Sequence, residues 1–326
     1  MTTPIVETQA MEGRIMNDHA QDGIDRRGFL KCMAWAGTGL AWTVAGGVLG
    51  CRPIGQKALA AAAGDFTFVQ LSDSHIGFSK EPNKDVTATF QEAINRVNAM
   101  PERPAFVLHT GDLTHLAKPA EFDAVAELLK RARTGDVFCV PGEHDVFTDD
   151  GKGYLERYGK NTVGTGWRSF DYRGVHFIGL VNVMNQKAGN LGVLGSDQLD
   201  WLKNDVARLG DSTPIVVFAH VPLWTVYPKW GWGTEDSAQA LAHLKRFGSV
   251  TVLNGHIHQI LQKVEGNVTF HTACSTAFPQ PEPGKAESPG PVKNLPAGKL
   301  RSLLGVTSVA YVERNHSLAT TDISLQ

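Results

Sequence analysis

Five short apolar runs lie between residues 66 and 258, and each ends in a cluster of small, polar and titratable residues. Phe66–Leu71 runs into Ser72-Asp73-Ser74-His75, and Ala105–His109 into Thr110-Gly111-Asp112. Val137–Val140 runs into Pro141-Gly142-Glu143-His144-Asp145, and Ile215–Phe218 into Ala219-His220. Val250–Leu253 runs into Asn254-Gly255-His256-Ile257-His258. Each run is short, rich in β-branched or aromatic residues and bounded by turn formers, which predicts a buried strand.

Helical patterns separate the runs, over roughly 85–100, 119–133, 196–209 and 236–247. Pro119 suits a first helical turn, and Ser196 and Asp236 suit N-caps. Strands alternating with helices predict an α/β fold with a largely parallel sheet whose carboxyl ends share one edge. All five polar clusters then gather at that edge. Residues 168–180 and 260–271 read as hairpins, and Val306–Val312 with the last residues as a return to a sheet. Pro279–Lys299 carries six prolines and reads as a long loop. With no repeat and no linker within it, 64–326 is expected to form one domain.

Composition narrows the function. Of 326 residues, 42% are hydrophobic, which excludes a disordered tail or a collagen-like fibre. Lys and Arg number 31 against 33 Asp and Glu, with no dense run of either sign, so no nucleic-acid polymer is expected as a partner. The cysteines Cys32, Cys51, Cys139 and Cys274 have no CxxC spacing, and Cys139 and Cys274 read either as buried thiols or as an oxidised pair.

The amino-terminal segment reads as an address. Asp25-Arg26-Arg27-Gly28-Phe29-Leu30-Lys31 resembles a twin-arginine export signal, and Cys32–Gly50 carries no charge. Ala58-Leu59-Ala60 offers a small-residue cleavage pattern. The alternatives are an uncleaved anchor, or processing at Val48-Leu49-Gly50-Cys51 with a lipid on Cys51. Residues 1–63 are thus expected to be signal and linker, and the product periplasmic or otherwise exported. By that resemblance its partner is the twin-arginine machinery, and membrane contact is limited to the anchor or the lipid.

The chemistry lies in the run ends. Asp73, His75, Asp112, Glu143, His144, His220, His256 and His258 combine carboxylates with imidazoles, a donor set for Zn, Fe or Mn rather than Ca or Mg. So many ligands exceed one tetrahedral site, and a carboxylate can bridge two ions suited to phosphoryl displacement. His109, His176, His243, His271 and His316 read as structural, and His115, three residues after Asp112, either as a supporting residue or as one without a role. Trp224, Tyr227, Trp230 and Trp232 read as packing or as a pocket wall.

The ordered pattern Asp73-x-His75, Gly111-Asp112, Gly142-Glu143-His144-Asp145, His220, Gly255-His256-x-His258 resembles the calcineurin-like metallophosphoesterases over 66–275. That resemblance implies a four-layer α-β-β-α sandwich and hydrolysis of a small phosphomonoester or phosphodiester at two metal ions. It implies that Asp73, His75 and His258 bind one ion, that Asp112 bridges, and that His220 and His256 bind the other. His144 is then an unligated catalytic imidazole, with Asp145 expected to orient it. The chain lacks the tyrosine that purple acid phosphatases carry three residues after the bridging aspartate, and its spacing is nearer the bacterial cyclic-nucleotide phosphodiesterase branch. Glu143 stands where the family has asparagine. Its extra negative charge is expected to make it a ligand that biases the pair towards iron or manganese. A metal-free scaffold and a nuclease are the rival readings.

Overall fold

Alternation within each apolar run decides which layer receives each side chain. The structure, a computed structural model, describes residues 64–326 except 185, 187 and 188, together with the backbone of 40–45 and 48–53. The chain falls into two units, Met1–Ala60 and Ala61–Gln326. In the first, β1 (Leu40–Ala45) pairs antiparallel with β2 (Val48–Pro53). The arginine pair and the Ala58–Ala60 step lie outside the described residues.

The second unit holds two sheets. One is five-stranded, in the order β13 (Ser317–Ser324), β12 (Gly305–Val312), β3 (Phe66–Leu71), β4 (Phe106–His109), β5 (Asp136–Cys139). The other is six-stranded: β10 (Leu261–Glu265), β11 (Val268–Thr272), β9 (Val250–Asn254), β8 (Ile215–Phe218), β7 (Val175–Gly179), β6 (Arg168–Tyr172). Within them β3, β4 and β5 run parallel, as do β7, β8, β9 and β11.

Phe66 and Phe68 of β3 and Phe106 and Leu108 of β4 face inward, onto Phe177, Val216, Phe218 and Leu253 of the other sheet. The Phe68 and Phe177 rings meet edge to face at 5.4 Å. The alternate residues Val69, Leu71 and Val107 face outward onto α1 (Val86–Asn98) and α2 (Pro119–Leu129). On the second sheet Ile215, Val217, Val250 and Val252 pack with α4 (Ser196–Val206) and α5 (Ser237–Leu244). Strands buried on both faces explain the near-continuous apolar runs. The result is the four-layer α-β-β-α sandwich.

The sequence pattern predicts one sheet where there are two. Strand–helix alternation specifies parallel neighbours but not how many sheets share them. Two capping expectations also change. Asp85 caps α1 by accepting from Ala88 N at 2.9 Å, but α4 begins after Gly195 rather than at a Ser196 cap. Asp236 holds the N-cap position of α5 as expected, but its carboxylate accepts from Leu194 N and Gly195 N rather than from the helix. A helix absent from the pattern, α3 (Lys152–Tyr158), spans seven residues, too few to establish a period. The 260–271 hairpin forms as expected, turning through Gly266 and Asn267. The short helix α6 (Leu300–Leu303) follows the proline loop into β12. No helix among the described residues is long and apolar enough to cross a membrane.

Candidate metal centre

The five polar clusters meet where the carboxyl ends of both sheets converge. Asp73 and His75 follow β3, Asp112 follows β4, Glu143 and His144 follow β5, His220 follows β8, and His256 and His258 follow β9. Asp73, His75, Asp112, His256 and His258 all adopt positive φ, between 40° and 70°. Such backbone costs about 1–3 kcal/mol per residue and persists only where surrounding contacts fix it. Here Asp73 N and His75 N donate to the carbonyls of Gly111 and Asp112. Gly111, with φ +95°, packs so tightly that a Cβ there would meet His220 Nδ1 at 2.5 Å. A Cβ on Gly255 would meet the Ser72 hydroxyl at 2.0 Å. Glycines before these ligands are therefore steric requirements.

Five overlapping groups of donor atoms form among the described residues, and two of them that share no residue are Asp73, His75 and His258, and Glu143, His220 and His256. His258 Nε2 lies 3.3 Å from Asp73 Oδ1 and 3.2 Å from His75 Nε2. Glu143 spans the second group, with Oε2 2.9 Å from His220 Nε2 and Oε1 3.0 Å from His256 Nδ1. Asp112 Oδ2 stands between the groups, 3.4 Å from His75 Nε2 and 3.5 Å from His220 Nε2.

Supporting bonds fix which atoms face inward. His220 Nδ1 donates to the Thr110 carbonyl at 2.7 Å, and His258 Nδ1 to the Phe278 carbonyl at 2.5 Å. Each ring thus presents an Nε2 lone pair, the usual way a backbone carbonyl orients a metal ligand. A buried chain from Gln70 through Thr110 and Ser72 ends on Asp73 Oδ2, 2.5 Å from the Ser72 hydroxyl. Gln70 also donates to the Asn254 carbonyl of the other sheet. No sequence pattern marked Gln70, Ser72 or Thr110 as supports, although each adjoins or precedes a ligand cluster.

The donor set fits metal ions. His220 Nε2, Glu143 Oε2 and His256 Nδ1 are buried without a hydrogen-bond partner. Buried polar atoms are rarely left so, and these three converge. Asp73, Asp112 and Glu143 lie close together, and no Lys or Arg among the described residues pairs with them. Burial raises the Glu143 carboxyl, yet His256 and His220 more than reverse this and hold it well below the ordinary range. Burial lowers the His220 imidazole, but Asp112 and Glu143 carry it well above its ordinary value. That concentration of negative charge is what cations would neutralise.

Glu143–Asp145 form one 3-10 turn. At three residues per turn, successive side chains point in three directions. Glu143 reaches His220 and His256, while His144 lies on the near side, close to Asp112 and His75, and both line a neighbouring cavity. Asp145 points into the protein, accepting from Leu113 N, Gly142 N, Thr114 N and the Thr114 hydroxyl. The expectation that Asp145 orients the His144 ring is corrected here. Its carboxylate is fully engaged by those donors, and His144 Nδ1 instead donates to the His115 carbonyl at 2.8 Å. The His115 ring stacks on His144, centroids 4.9 Å apart.

The remaining histidines divide as expected where bonds are seen. His176 lies between Asp171 and Asp205, His271 beside Asp322, and His109 against the Ser74 hydroxyl. Cys139 and Cys274 are free thiols. Trp230 and Trp232 line the cavity beside Glu143, while Trp224 packs on Phe270.

Two histidine–carboxylate groups sharing one aspartate, at the carboxyl edge of a four-layer sandwich, define a metal-dependent phosphoesterase. The calcineurin-like phosphoesterase family pattern matches residues 66–260, and the chain belongs to that family. It is similar to the glycerophosphodiester phosphodiesterase GpdQ of Enterobacter lignolyticus, 24% identical over 260 residues, covering 76% of this chain and 90% of the relative. A probable cyclic nucleotide phosphodiesterase of Psychrobacter arcticus is 23% identical over 235 residues, covering 66% of this chain and 81% of the relative. Among solved structures, a dimetal phosphatase from Danio rerio superposes with a TM-score of 0.61 at 14% identity, covering 80% of this chain and 96% of that one. A purple acid phosphatase from yellow lupin gives 0.57 at 12% identity, covering 80% and 52% respectively. At those identities the structural likeness speaks for the fold.

Proposed function

We propose that the chain hydrolyses phosphodiesters at a pair of metal ions, one on Asp73, His75 and His258, the other on Glu143, His220 and His256. The observation that carries this reading is Asp112 Oδ2, nearly equidistant from His75 Nε2 and His220 Nε2 and so placed to be shared. When bound, the ions supply Lewis-acid charge to the phosphoryl oxygens and lower the pKa of an attacking water.

The residues of the chain do the rest. Thr110 and Phe278 hold His220 and His258 in the ligating tautomer, and Ser72 holds Asp73. His144 N donates to Asp112 Oδ1 at 2.9 Å, fixing the shared carboxylate. Because His144 Nδ1 is occupied by the His115 carbonyl, Nε2 is left for the substrate. Burial lowers the His144 ring, but Asp112 and Glu143 raise it above its ordinary value. Nε2 is then the ring atom placed to pass a proton to the departing alkoxide.

Diesters are favoured over monoesters because the Glu143 carboxylate lines the substrate cavity. A monoester dianion meets it with greater repulsion than a diester monoanion. The names of the relatives, acting on glycerophosphodiesters and cyclic nucleotides, point the same way. Metal analysis of the purified protein, with a panel of phosphomonoesters, linear diesters and cyclic nucleotides, tests the reading. Metal-free protein or turnover confined to monoesters overturns it.

The same charge argument makes iron or manganese the preferred ions, since one trivalent ion restores the balance that Glu143 shifts. The Arg26-Arg27 pair and the uncharged stretch after it support export by the twin-arginine route into the periplasm. Replacing both arginines with lysine is expected to leave the precursor in the cytoplasm, and normal export of that variant excludes the route.

A further inference from the structure

His144 is held by a peptide group rather than by a side chain. Its Nδ1 donates to the His115 carbonyl at 2.8 Å. The N–H of the same peptide bond, on Leu116, donates to Glu121 Oε2, also at 2.8 Å. A carboxylate, a peptide and the imidazole thus form one hydrogen-bonded chain, with the anion at one end and the ring at the other. Hydrogen bonds in such a chain polarise one another. The negative charge on Glu121 draws on the Leu116 N–H, which makes the His115 oxygen a better acceptor for the ring.

Glu121 does more than begin its helix. It stands in the first turn of α2, and its Oε2 also accepts from Lys118 N, the bond by which a glutamate at this place closes a helix start. That bond is 3.4 Å long, whereas the bond to Leu116 N is 2.8 Å. Glu121 is buried, and among the described residues no Lys or Arg pairs with it. A carboxylate buried without a counter-charge is costly unless hydrogen bonds satisfy it. Its other oxygen is packed in place, since a Cβ on Gly77 would meet Glu121 Oε1 at 2.3 Å. On the other flank of the same loop, Asp145 accepts from Leu113 N and Thr114 N. The His115 carbonyl lies between these two clamps. We propose that Glu121 is a positioning residue for the reaction, fixing the His144 ring through the His115–Leu116 peptide so that Nε2 meets the departing alkoxide. It takes the part that Asp145, next to His144 in the chain, does not. The inference rests on the reading of His144 as proton donor above and deepens it.

The test uses the full metal-loaded chain and two diesters that share an ethyl arm, ethyl 4-nitrophenyl phosphate and diethyl phosphate. Nitrophenolate leaves without a proton, whereas ethoxide needs one, so only the second ester depends on the His144 ring. Glu121→Ala, with both ions retained by elemental analysis, is expected to lower kcat for diethyl phosphate about 10-fold, the size of one hydrogen bond to a charged group. For the nitrophenyl ester the loss should stay below about 2-fold, because that leaving group bypasses the ring. Glu121→Gln keeps an acceptor oxygen without the charge and should recover most of the loss, and it carries the comparison if Glu121→Ala does not fold. In a His144→Ala background the change at Glu121 should add less than about 2-fold on either ester, since both residues then act on one step. A residue that only caps α2 depresses the two esters alike, and depresses them as much without the His144 ring as with it. Either result, loss of metal, or an unchanged kcat for diethyl phosphate overturns the proposal.

Should neither ester be hydrolysed, the diester reading fails on its own and the link between Glu121 and the ring is read without turnover. In the zinc-loaded protein with isotope-labelled histidine, the hydrogen-bonded Nδ1–H of His144 is expected as a downfield proton resonance, identified by its loss in His144→Ala. Glu121→Ala should shift that resonance upfield or lose it to exchange with water, with Glu121→Gln between the two. A resonance that stays in place in both variants, or that the unmodified protein lacks, removes the link.

Discussion

Glu143 Oε2 and His220 Nε2 lie 2.9 Å apart and buried, yet neither has a hydrogen-bond partner. The ring's one transferable proton in the neutral state is committed at Nδ1 to the Thr110 carbonyl. When the ring is neutral, two lone pairs face each other, an arrangement that is unfavourable unless a proton or a cation is shared between them.

Glu143→Asn keeps an oxygen donor but removes the charge and one methylene. The variant is expected to shift from iron or manganese towards two like divalent ions, read by elemental analysis after refilling from a metal mixture. The acidic limb of its pH–rate profile should move down, because a more positive site acidifies the attacking water further. Unchanged metal content and profile would make Glu143 a bystander.

His144 and Asp112 should separate cleanly. His144→Ala keeps the backbone N–H that donates to Asp112 Oδ1, so both ions should stay while kcat falls by about 10²-fold or more. Asp112→Ala removes the shared oxygen, and both ions should be lost on dialysis. Loss of metal in His144→Ala would show that the ring ligates rather than delivers a proton.

The ligand positions were legible because each follows a short, near-continuous apolar run and is of a type that apolar runs rarely end in by chance. Asp73, Asp112, His220 and His256 stand out for that reason alone. The apolar pattern alone does not reveal the two-sheet division, since Phe68 and Val69 show only that both faces of β3 are buried and not what covers each; that division came from the family resemblance. Asp145 was misread because adjacency to His144 suggested a pair, whereas a 3-10 turn sends neighbours in different directions. Glu121 reads in the sequence as a first-turn residue of a helix, and only the folded chain sets its carboxylate behind the His115–Leu116 peptide.

Asp145 makes a stability prediction instead of a catalytic one. Its carboxylate satisfies three backbone N–H groups and one hydroxyl across two ligand loops. Asp145→Ala leaves those donors buried and unpaired at about 1–3 kcal/mol for the first and less for each further one. A loss of about 3–5 kcal/mol in urea unfolding is expected, by analogy with breaking a buried charged network. Asp145→Asn, retaining one acceptor oxygen, should recover part of it. A loss below about 1 kcal/mol, within the range of ordinary substitutions, would contradict the clamp.

His176, near the amino end of β7, gives a pH dependence independent of metal. Its Nδ1 lies 2.7 Å from Asp171 Oδ1 and its Nε2 2.9 Å from Asp205 Oδ2. Burial disfavours the charged ring, but hydrogen bonds to Asp205 and Asp171 outweigh it and raise the ring above its ordinary value of 6.5. The folded protein therefore holds this proton more tightly than the unfolded chain does. Its contribution to stability is complete below pH 6.5 and disappears as the pH rises through the raised folded value. Asp171 is 75% exposed and Asp205 16%, so water screens the first partner and the second dominates. The stability difference between the unmodified protein and His176→Asn should be about 1–3 kcal/mol in mildly acidic buffer and markedly smaller in alkaline buffer. Asp205→Asn should abolish most of that dependence and Asp171→Asn little of it. Urea titrations of all four proteins at both ends of the range decide the matter, and an equal difference at the two ends would mean that the ring is held neutral.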